Sequence, residues 1–491
     1  MDSKSKKWLV GIFLGVLLLR LILAFSNGGF TYESYFHLRQ VESIKETGFP
    51  NYDDELSFGG RHYRFLPLFH YLIAFFSLFL PLEFAAKFIP NILISFLTVI
   101  AYLIAGKITR DKHAPLFSAF IVGLLPILFK TNSFTPETLF LPLIFLCIYS
   151  FLNIDRSKFQ FIYVISFLLV SLVSSATFLL IIGFVIYLVL SFLEGKKTPN
   201  SELELILFSL VFFIWTQHLF FKNLLLEQGV RFIWQNIPVQ IIQQYFPKLS
   251  LLQVILLVSI IPFLIGVYVV YRSLFKLKTT KSFLLISLVV STSTLAWLRL
   301  IKIELSLAFF GISLALLFAS FYEEIVQFIQ RTKISHLQRK ISVFVVIILF
   351  LSMIFPAVNT SISQDIPSLT DLLAFQWLKE NVPENSTVAA LLEEGHLITY
   401  YGQKKNIIDD QFGLVEDIES RFSDLGDIFT TTFHTHAVGL FDKYEINYIV
   451  FSERAEENFL FPNFQYITPE CYERVYDEGL KIYKVKCGLG S

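Results

Sequence analysis

"WLVGIFLGVLLLRLILAFSNGGFTYESYFHLR", residues 8–39, decides how the chain is read. Residues 8–25 form an apolar run of bilayer length whose single charge is Arg20. No small-residue cleavage site follows, and many similar runs do, so this is a retained helix and not a signal peptide. Glu33, His37 and Arg39 then arrive together among aromatic residues, where a helix has just left the bilayer. The rest of the chain has the same character. It has 491 residues, 54% hydrophobic and 16% charged, whereas a soluble globule carries about 25% charged residues. The formal net charge is zero, which leaves no electrostatic footprint for nucleic acid.

The apolar runs fall at about 8–25, 84–106, 113–130, 138–154, 159–174, 176–193, 203–221, 251–271, 282–298, 303–321 and 341–357. Alternate connections are rich in Lys and Arg, beginning with Lys4, Lys6 and Lys7, then Lys107, Arg110 and Lys112. By the positive-inside rule the N-terminus is cytoplasmic and the tail lies outside. Residues 65–81, "FLPLFHYLIAFFSLFLP", are long enough to span, but counting them would invert every later loop. They are therefore assigned to an interfacial or re-entrant helix. The expected fold is a polytopic α-helical membrane protein of about eleven spans, and up to thirteen if neighbouring runs split. Residues 1–357 form its transmembrane domain, with a large first outer loop at 26–83, and 358–491 form a small extracytoplasmic α/β domain in a multi-pass cell-membrane protein.

Chemistry-bearing residues collect on the outer side. The first loop holds Glu33, His37 and Arg39, then "NYDDELSFGGRHYR" with Asp53, Asp54, Arg61 and Arg64. "TNSFTPET" brings Glu137 to the top of the fourth span, and the third loop offers Arg231 and Gln235. Glu33 and Glu137 could hold a divalent cation, Mg or Mn, through oxygen ligands, or one could serve as a general base. Arginines match the phosphate of a lipid substrate with paired hydrogen bonds; Arg231 and Arg299 are the choices for that role. His37, Arg39, Asp53, Asp54, Arg61, Arg64 and Gln235 complete the expected substrate site. Each feature also has a plainer reading. Glu33 sits as a first-turn acid favoured by the helix dipole, Asp53–Glu55 reads as a solvated turn, and Thr135-Pro136-Glu137 reads as a helix start. Arg299, Lys302 and Glu304 would make a local ion pair at a span boundary.

The tail is mixed in character. "DLLAFQWLKENV" has helical spacing, with Leu372, Leu373, Phe375, Trp377 and Leu378 on its apolar face. "STVAALL", "KNIID" and "INYIVF" read as short strands. "CYERVYDEGLKIYKVKC" reads as a hairpin turning at Asp477-Glu478-Gly479, which sets Cys471 and Cys487 opposite each other for a disulfide. His396, Lys404 and Lys405 could face the membrane-side site but read better as a solvated loop, and His434 and His436 are spaced as on one face of a strand. Asn359-Thr-Ser and Asn385-Ser-Thr are glycosylation sequons.

Taken together, these segments resemble the catalytic subunit of oligosaccharyltransferase, especially its archaeal forms, within the C-type membrane glycosyltransferase superfamily. "ESYFHLR" resembles that family's first acidic motif, with Glu33 where the acid is an aspartate and Ser34 where the family has proline. "SFTPETL" resembles the second, with Glu137 as the matching carboxylate. Where the family carries Trp-Trp-Asp-Tyr-Gly, the matching residues are Leu391, Leu392, Glu393, Glu394 and Gly395, and Gln235 is the nearest match to its later glutamate motif. The resemblance implies an inverting transfer of a sugar or oligosaccharide from a polyprenyl phosphate or pyrophosphate, outside the cytoplasm. The acceptor would be a protein, peptide or glycolipid, and the source archaeal. An oligosaccharyltransferase that N-glycosylates proteins is the alternative within the class. A lipid-linked glycan transporter, for which Arg20 is the mid-span charge, and an inactive glycan-binding scaffold are the rivals outside it.

Overall fold

A computed structural model describes residues 3–229, 249–277, 280–333, 335–412, 415 and 417–488. Every apolar run read from the sequence is helical. Among the described residues, six helices are long and apolar enough to cross a bilayer: Ser3–Ser26, Leu82–Ile108, Ser175–Leu193, Asn200–Leu226, Ile303–Gln330 and Lys340–Ile362. Two more spans arise if each bent pair counts as one, Ala114–Gly123 with Pro126–Asn132 (48°) and Leu251–Val258 with Ile260–Lys276 (96°). Glu137–Phe151, Ser157–Ser171 and Ser282–Trp297 are shorter apolar helices, so eleven runs correspond to fewer full-length spans. Residues 65–81 contain the helix Leu68–Ser77, about 15 Å long at 1.5 Å per residue.

The chain divides into two compact units. The first comprises Met1–Asn27, Leu66–Phe220 and Tyr245–Gln364 and holds the long apolar helices. Arg20, deep in the span Ser3–Ser26, is 1% exposed. Arg20 donates to Asn91 Oδ1 at 2.9 Å, to the Leu128 carbonyl at 2.9 Å and to Thr131 Oγ1 at 3.2 Å. Its guanidinium also lies over the Phe129 ring, 5.1 Å from the centroid. A buried guanidinium is tolerable only when so satisfied, and here it ties one span to the break that follows Gly123. At the next boundary Glu304 pairs with Lys130, an ion pair between distant segments.

The second unit comprises Gly28–Phe65, Phe221–Gln244 and Asp365–Ser491. Its sheet runs Lys405–Asn406, Thr387–Ala389, Ile446–Phe451, Leu480–Val485, Tyr472–Glu478. The first three strands are parallel and the last two antiparallel. Parallel neighbours need a long crossover, here carrying Ile418–Thr430 and His434–Lys443. His434 and His436 therefore lie on a helix, not a strand, and His436 pairs with Asp427 at 3.4 Å. Helix Leu369–Asn381 starts at a Ser368–Asp371 capping box, which satisfies two otherwise orphaned N–H groups. It buries Ala374, Phe375 and Leu378, whereas Leu373, expected on the apolar face, is exposed. The terminal hairpin turns at Gly479, whose φ of +84° suits glycine. A disulfide joins Cys471 to Cys487 across its open end, while Cys147 is a buried free thiol.

The disulfide closes a loop with a sequence separation of 16, for which the chain-entropy relation gives about 3 kcal/mol. Alkylation of the intact denatured protein is expected to label one thiol without reductant and three after reduction. Replacing both Cys471 and Cys487 by Ser should lower the stability of the tail by about that amount in a denaturant titration.

Candidate functional site

The residues that the sequence singles out between 28 and 65 all belong to the second unit. Helix Tyr32–Thr47 begins after Thr31, whose hydroxyl bonds the Ser34 hydroxyl at 2.8 Å, and ends at Gly48 in the left-handed conformation. Glu33 stands in its first turn and Lys45 in its last, as the helix dipole favours. Tyr35, Phe36, Leu38 and Val41 are buried, and Glu33 itself is half-buried. A short hairpin follows, pairing Asp53 with His62 and Asp54 with Arg61. Gly59 and Gly60, at φ +75° and +72°, close it. Strand periodicity sends Asp53 and His62 to solvent, where they pair with each other, and Asp54 and Arg61 inward. The next residues extend the tail's sheet: Phe58 N–H donates to the Asn406 carbonyl at 2.8 Å and Asn406 N–H to the Leu56 carbonyl at 2.9 Å.

The inward residues build one buried ionic network. Arg39, on the Glu33 helix, donates to Asp54 Oδ1 at 2.7 Å. Arg61 donates through Nε and Nη2 to Asp54 Oδ2 at 3.1 and 3.0 Å, and through Nη1 to Asp409 Oδ1 at 2.6 Å. It also bonds the second Asp409 oxygen, the Tyr63 hydroxyl and the Gln411 carbonyl. Asn406 donates to Asp409 Oδ2 at 3.0 Å. His396 completes the chain, with Nε2 2.6 Å from Asp410 Oδ1 and Nδ1 3.6 Å from Asp409 Oδ2. The side chains of Asp54, Arg61 and Asp409 are fully buried. Burial alone would raise the Asp54 and Asp409 carboxyls, but Arg39 and Arg61 hold the first, and Arg61 and His396 the second, below the usual carboxylate range. For His396, burial would lower the imidazole, yet Asp409 and Asp410 outweigh it and raise it above the ordinary value.

His396, Asp409 and Asp410 offer ligand atoms within 4.8 Å of one another. Those donor types suit a divalent ion, but Arg61 already binds both Asp409 oxygens and supplies the positive charge. In this structure the trio forms an ion-pair network in which Arg61 brings the positive charge. Sequence reading placed His396 in a solvated loop; it is 2% exposed, as is Lys404, while Lys405 is half-buried. The signal for it was the adjacent acids of "IIDDQ", which directly follow two apolar residues.

A second cluster lies beside the start of the Glu33 helix. Arg454 pairs with Asp365 and approaches Glu393 at 3.8 Å, and its guanidinium lies over the Tyr32 ring at 4.9 Å. Glu394 is 2% exposed and accepts from the Leu391 N–H at 3.1 Å. Burial pushes its carboxyl up to about 7, although the Ser452 hydroxyl opposes the shift. Leu391 and Gly395 are buried as well, and a Cβ on Gly395 would meet Asp409 at 2.8 Å.

Of the other expected site residues, His37 is buried on the Glu33 helix, and Arg64 is half-buried and donates to the Tyr63 carbonyl at 3.0 Å. Glu137 is the first residue of helix Glu137–Phe151 in the first unit and is half-buried. Arg299 is exposed, with a φ of +57°. Arg231 and Gln235 lie outside the described residues.

Removing one partner of a buried ion pair strands the other charge and costs about 3–5 kcal/mol. Arg61→Ala should therefore destabilise the second unit by that amount. Arg61→Lys should recover little of it, because a single ammonium cannot serve two carboxylates as a planar fork does. Denaturant unfolding of the purified variants, followed by the near-ultraviolet signal, reads both effects.

No protein-family model and no curated protein sequence matches the chain. Solved structures do match its fold. The archaeal oligosaccharyltransferase AglB from Archaeoglobus fulgidus, in complex with an inhibitory peptide and a dolichol-phosphate, superposes with a TM-score of 0.68 at 14% identity, covering 91% of this chain and 70% of that one. The Archaeoglobus fulgidus oligosaccharyltransferase complex with Zn and sulfate gives 0.64 at 15% identity, covering 89% and 67%. ArnT from Cupriavidus metallidurans, bound to undecaprenyl phosphate, gives 0.56 at 9% identity, covering 99% and 98%. The archaeal oligosaccharyltransferase and ArnT thus share one fold with this chain.

Proposed function

We propose that the protein is a membrane glycosyltransferase that moves a sugar or oligosaccharide from a polyprenyl phosphate or pyrophosphate to an acceptor on the extracytoplasmic face. The observation that carries this reading is the likeness, over 91% and 99% of this chain, to two glycosyltransferases whose bound lipids, dolichol-phosphate and undecaprenyl phosphate, share one chemistry. A first-turn carboxylate, Glu33, on a helix tied down by a buried network supports it.

In the proposed reaction the acceptor's oxygen or nitrogen attacks the anomeric carbon as the bond from that carbon to the phosphate oxygen breaks. The anomeric centre inverts, the acceptor's proton passes to a carboxylate, and the phosphate leaves with the electron pair. Glu33 is the general base, and Glu137 is the second carboxylate of the reaction. Both are half-buried carboxylate oxygen donors in the first turn of a helix, a donor type that suits Mg or Mn; a bound ion would offset the negative charge of the donor phosphate. Arg64, Arg299 and Arg231 are the phosphate partners. Arg39, Asp54 and Arg61 are engaged with one another, and they support the site instead of touching the lipid.

The acceptor is better read as a glycolipid or a peptide chosen without a sequon. The Leu391–Gly395 segment turns Leu391, Glu394 and Gly395 inward, and side chains buried there do not read a ligand. A transporter is disfavoured, because Arg20 is fully occupied between helices.

Purified protein should transfer sugar from one member of a panel of polyprenyl-phosphate and polyprenyl-pyrophosphate sugars to a sequon peptide, a non-sequon peptide or a lipid, with products read by mass spectrometry. Glu33→Gln is expected to slow that transfer about 10²–10⁴-fold, the usual contribution of a general base. Chelation should abolish it and Mg or Mn restore it. Full activity in Glu33→Gln would remove that residue from the reaction. Donor binding without transfer by any form would return the protein to the scaffold reading.

A further inference from the structure

We propose that Arg61, Asp54, Asp409 and His396 are positioning residues that hold the Glu33 helix, with a proton on His396 as the charge that completes their network. The catalytic significance rests on the preceding reading of Glu33; the structural claim does not.

The argument begins with charge. Two guanidiniums, Arg39 and Arg61, face three carboxylates, Asp54, Asp409 and Asp410, in a buried cluster. An unbalanced buried charge is expensive, and the group placed to balance it is His396. Its two ring nitrogens lie 2.6 Å from Asp410 and 3.6 Å from Asp409. Only the imidazolium has an N–H for each; a neutral ring must turn a lone pair toward one carboxylate. The chain of contacts then runs from His396 through Asp409, Arg61 and Asp54 to Arg39, which belongs to the helix whose first turn carries Glu33. That helix also meets His396 directly, through the Phe36 ring at 5.7 Å. The titratable and charged groups around the imidazole are Asp409 and Asp410 from its own segment, Arg61 and Tyr63 from the hairpin, and His37, packed against Phe36, from the helix.

The sign of the pH effect follows. A histidine raised in the folded state contributes stability that is complete below its unfolded pKa, near 6.5, and lost as pH rises through the raised value. Between the two values, opening of the helix releases one proton, so its opening constant grows about tenfold per pH unit.

Hydrogen exchange on the full-length protein in lipid nanodiscs tests this, reading protection factors for residues 32–47 from pH 6 to pH 9. Protection in the wild type should fall by up to about tenfold per unit. Asp410→Asn removes one carboxylate, leaves two charges against two and needs no proton on His396. It should keep the helix protected and flatten the pH dependence. His396→Gln should also be flat, with lower protection at pH 6; if that variant does not fold, Asp410→Asn carries the test. A wild type without pH dependence would overturn the proposal. So would the same fall in Asp410→Asn, which would assign it to His37. Where transfer can be followed, kcat should decline with pH in parallel with protection. The expected protection pattern with no transfer by any form would count against the glycosyltransferase reading and leave the positioning claim standing.

Discussion

One guanidinium determines how much of this protein is built. Arg61 sits fully buried between Asp54, seven residues before it, and Asp409, 348 residues after it. Taking an arginine and two aspartates out of water costs several kcal/mol per ion before any attraction is counted. The arrangement persists because the fork geometry fills both carboxylates and because Tyr63, Asn406 and the Gln411 carbonyl satisfy the remaining positions. Neither partner segment can hold such a group alone. The segment around residues 28–65 and the C-terminal region therefore fold as one body, and the edge pairing of Leu56 and Phe58 with Asn406 is the backbone counterpart of the same bond.

The helical unit solves a related problem by other means. Its helices pack through small residues: a Cβ on Gly123 would meet Val16 at 2.6 Å, one on Gly183 would meet Leu288 at 2.7 Å, and one on Gly311 would meet Leu125 at 2.4 Å. Between helices in lipid there is no hydrophobic driving force, so close contact and a few polar bonds supply the association. Arg20 is the largest of those bonds. It takes the role that a salt bridge would otherwise have by donating to the Leu128 carbonyl, inside the Pro126–Asn132 helix that follows the break after Ala114–Gly123. Broken helices survive at membrane depth only where such groups find partners inside the protein.

What the sequence revealed and what it hid divide along the range of the forces involved. The apolar runs and the short strand "INYIVF" are local patterns; each run became helix and the strand formed, although several of the helices are broken or shorter than a bilayer span. Cys471 and Cys487 flank one turn, so a single hairpin sets their distance. The buried network was invisible because its members are far apart. Asp53 and Asp54 look alike in sequence, yet a two-residue strand turns one to water and the other to Arg61. His396 sits in a run with the charge and glycine content of a loop, and only the arrival of Arg61 and Phe36 makes it core. His434 and His436 failed for the opposite reason. A spacing of two fits a strand, but the crossover between parallel strands required a helix there.

These facts bear on why the acidic motif departs from the family it resembles. A glutamate in place of aspartate at residue 33 sets the carboxylate one methylene farther from the backbone, and Ser34 in place of proline leaves an N–H in the first helical turn. The serine uses it: Ser34 N–H donates to the Thr31 carbonyl at 2.9 Å, and its hydroxyl meets that of Thr31. Proline would have fixed the start of the helix by restricting φ and removing that donor; here hydrogen bonds do so instead. The helix is also gripped farther along, where Arg39 binds Asp54 and Phe36 packs against Tyr63 and His396. The first turn that carries Glu33 is thus fixed locally by the Thr31–Ser34 hydrogen bonds and, behind it, by the buried chain of charges through Asp54 and Arg61.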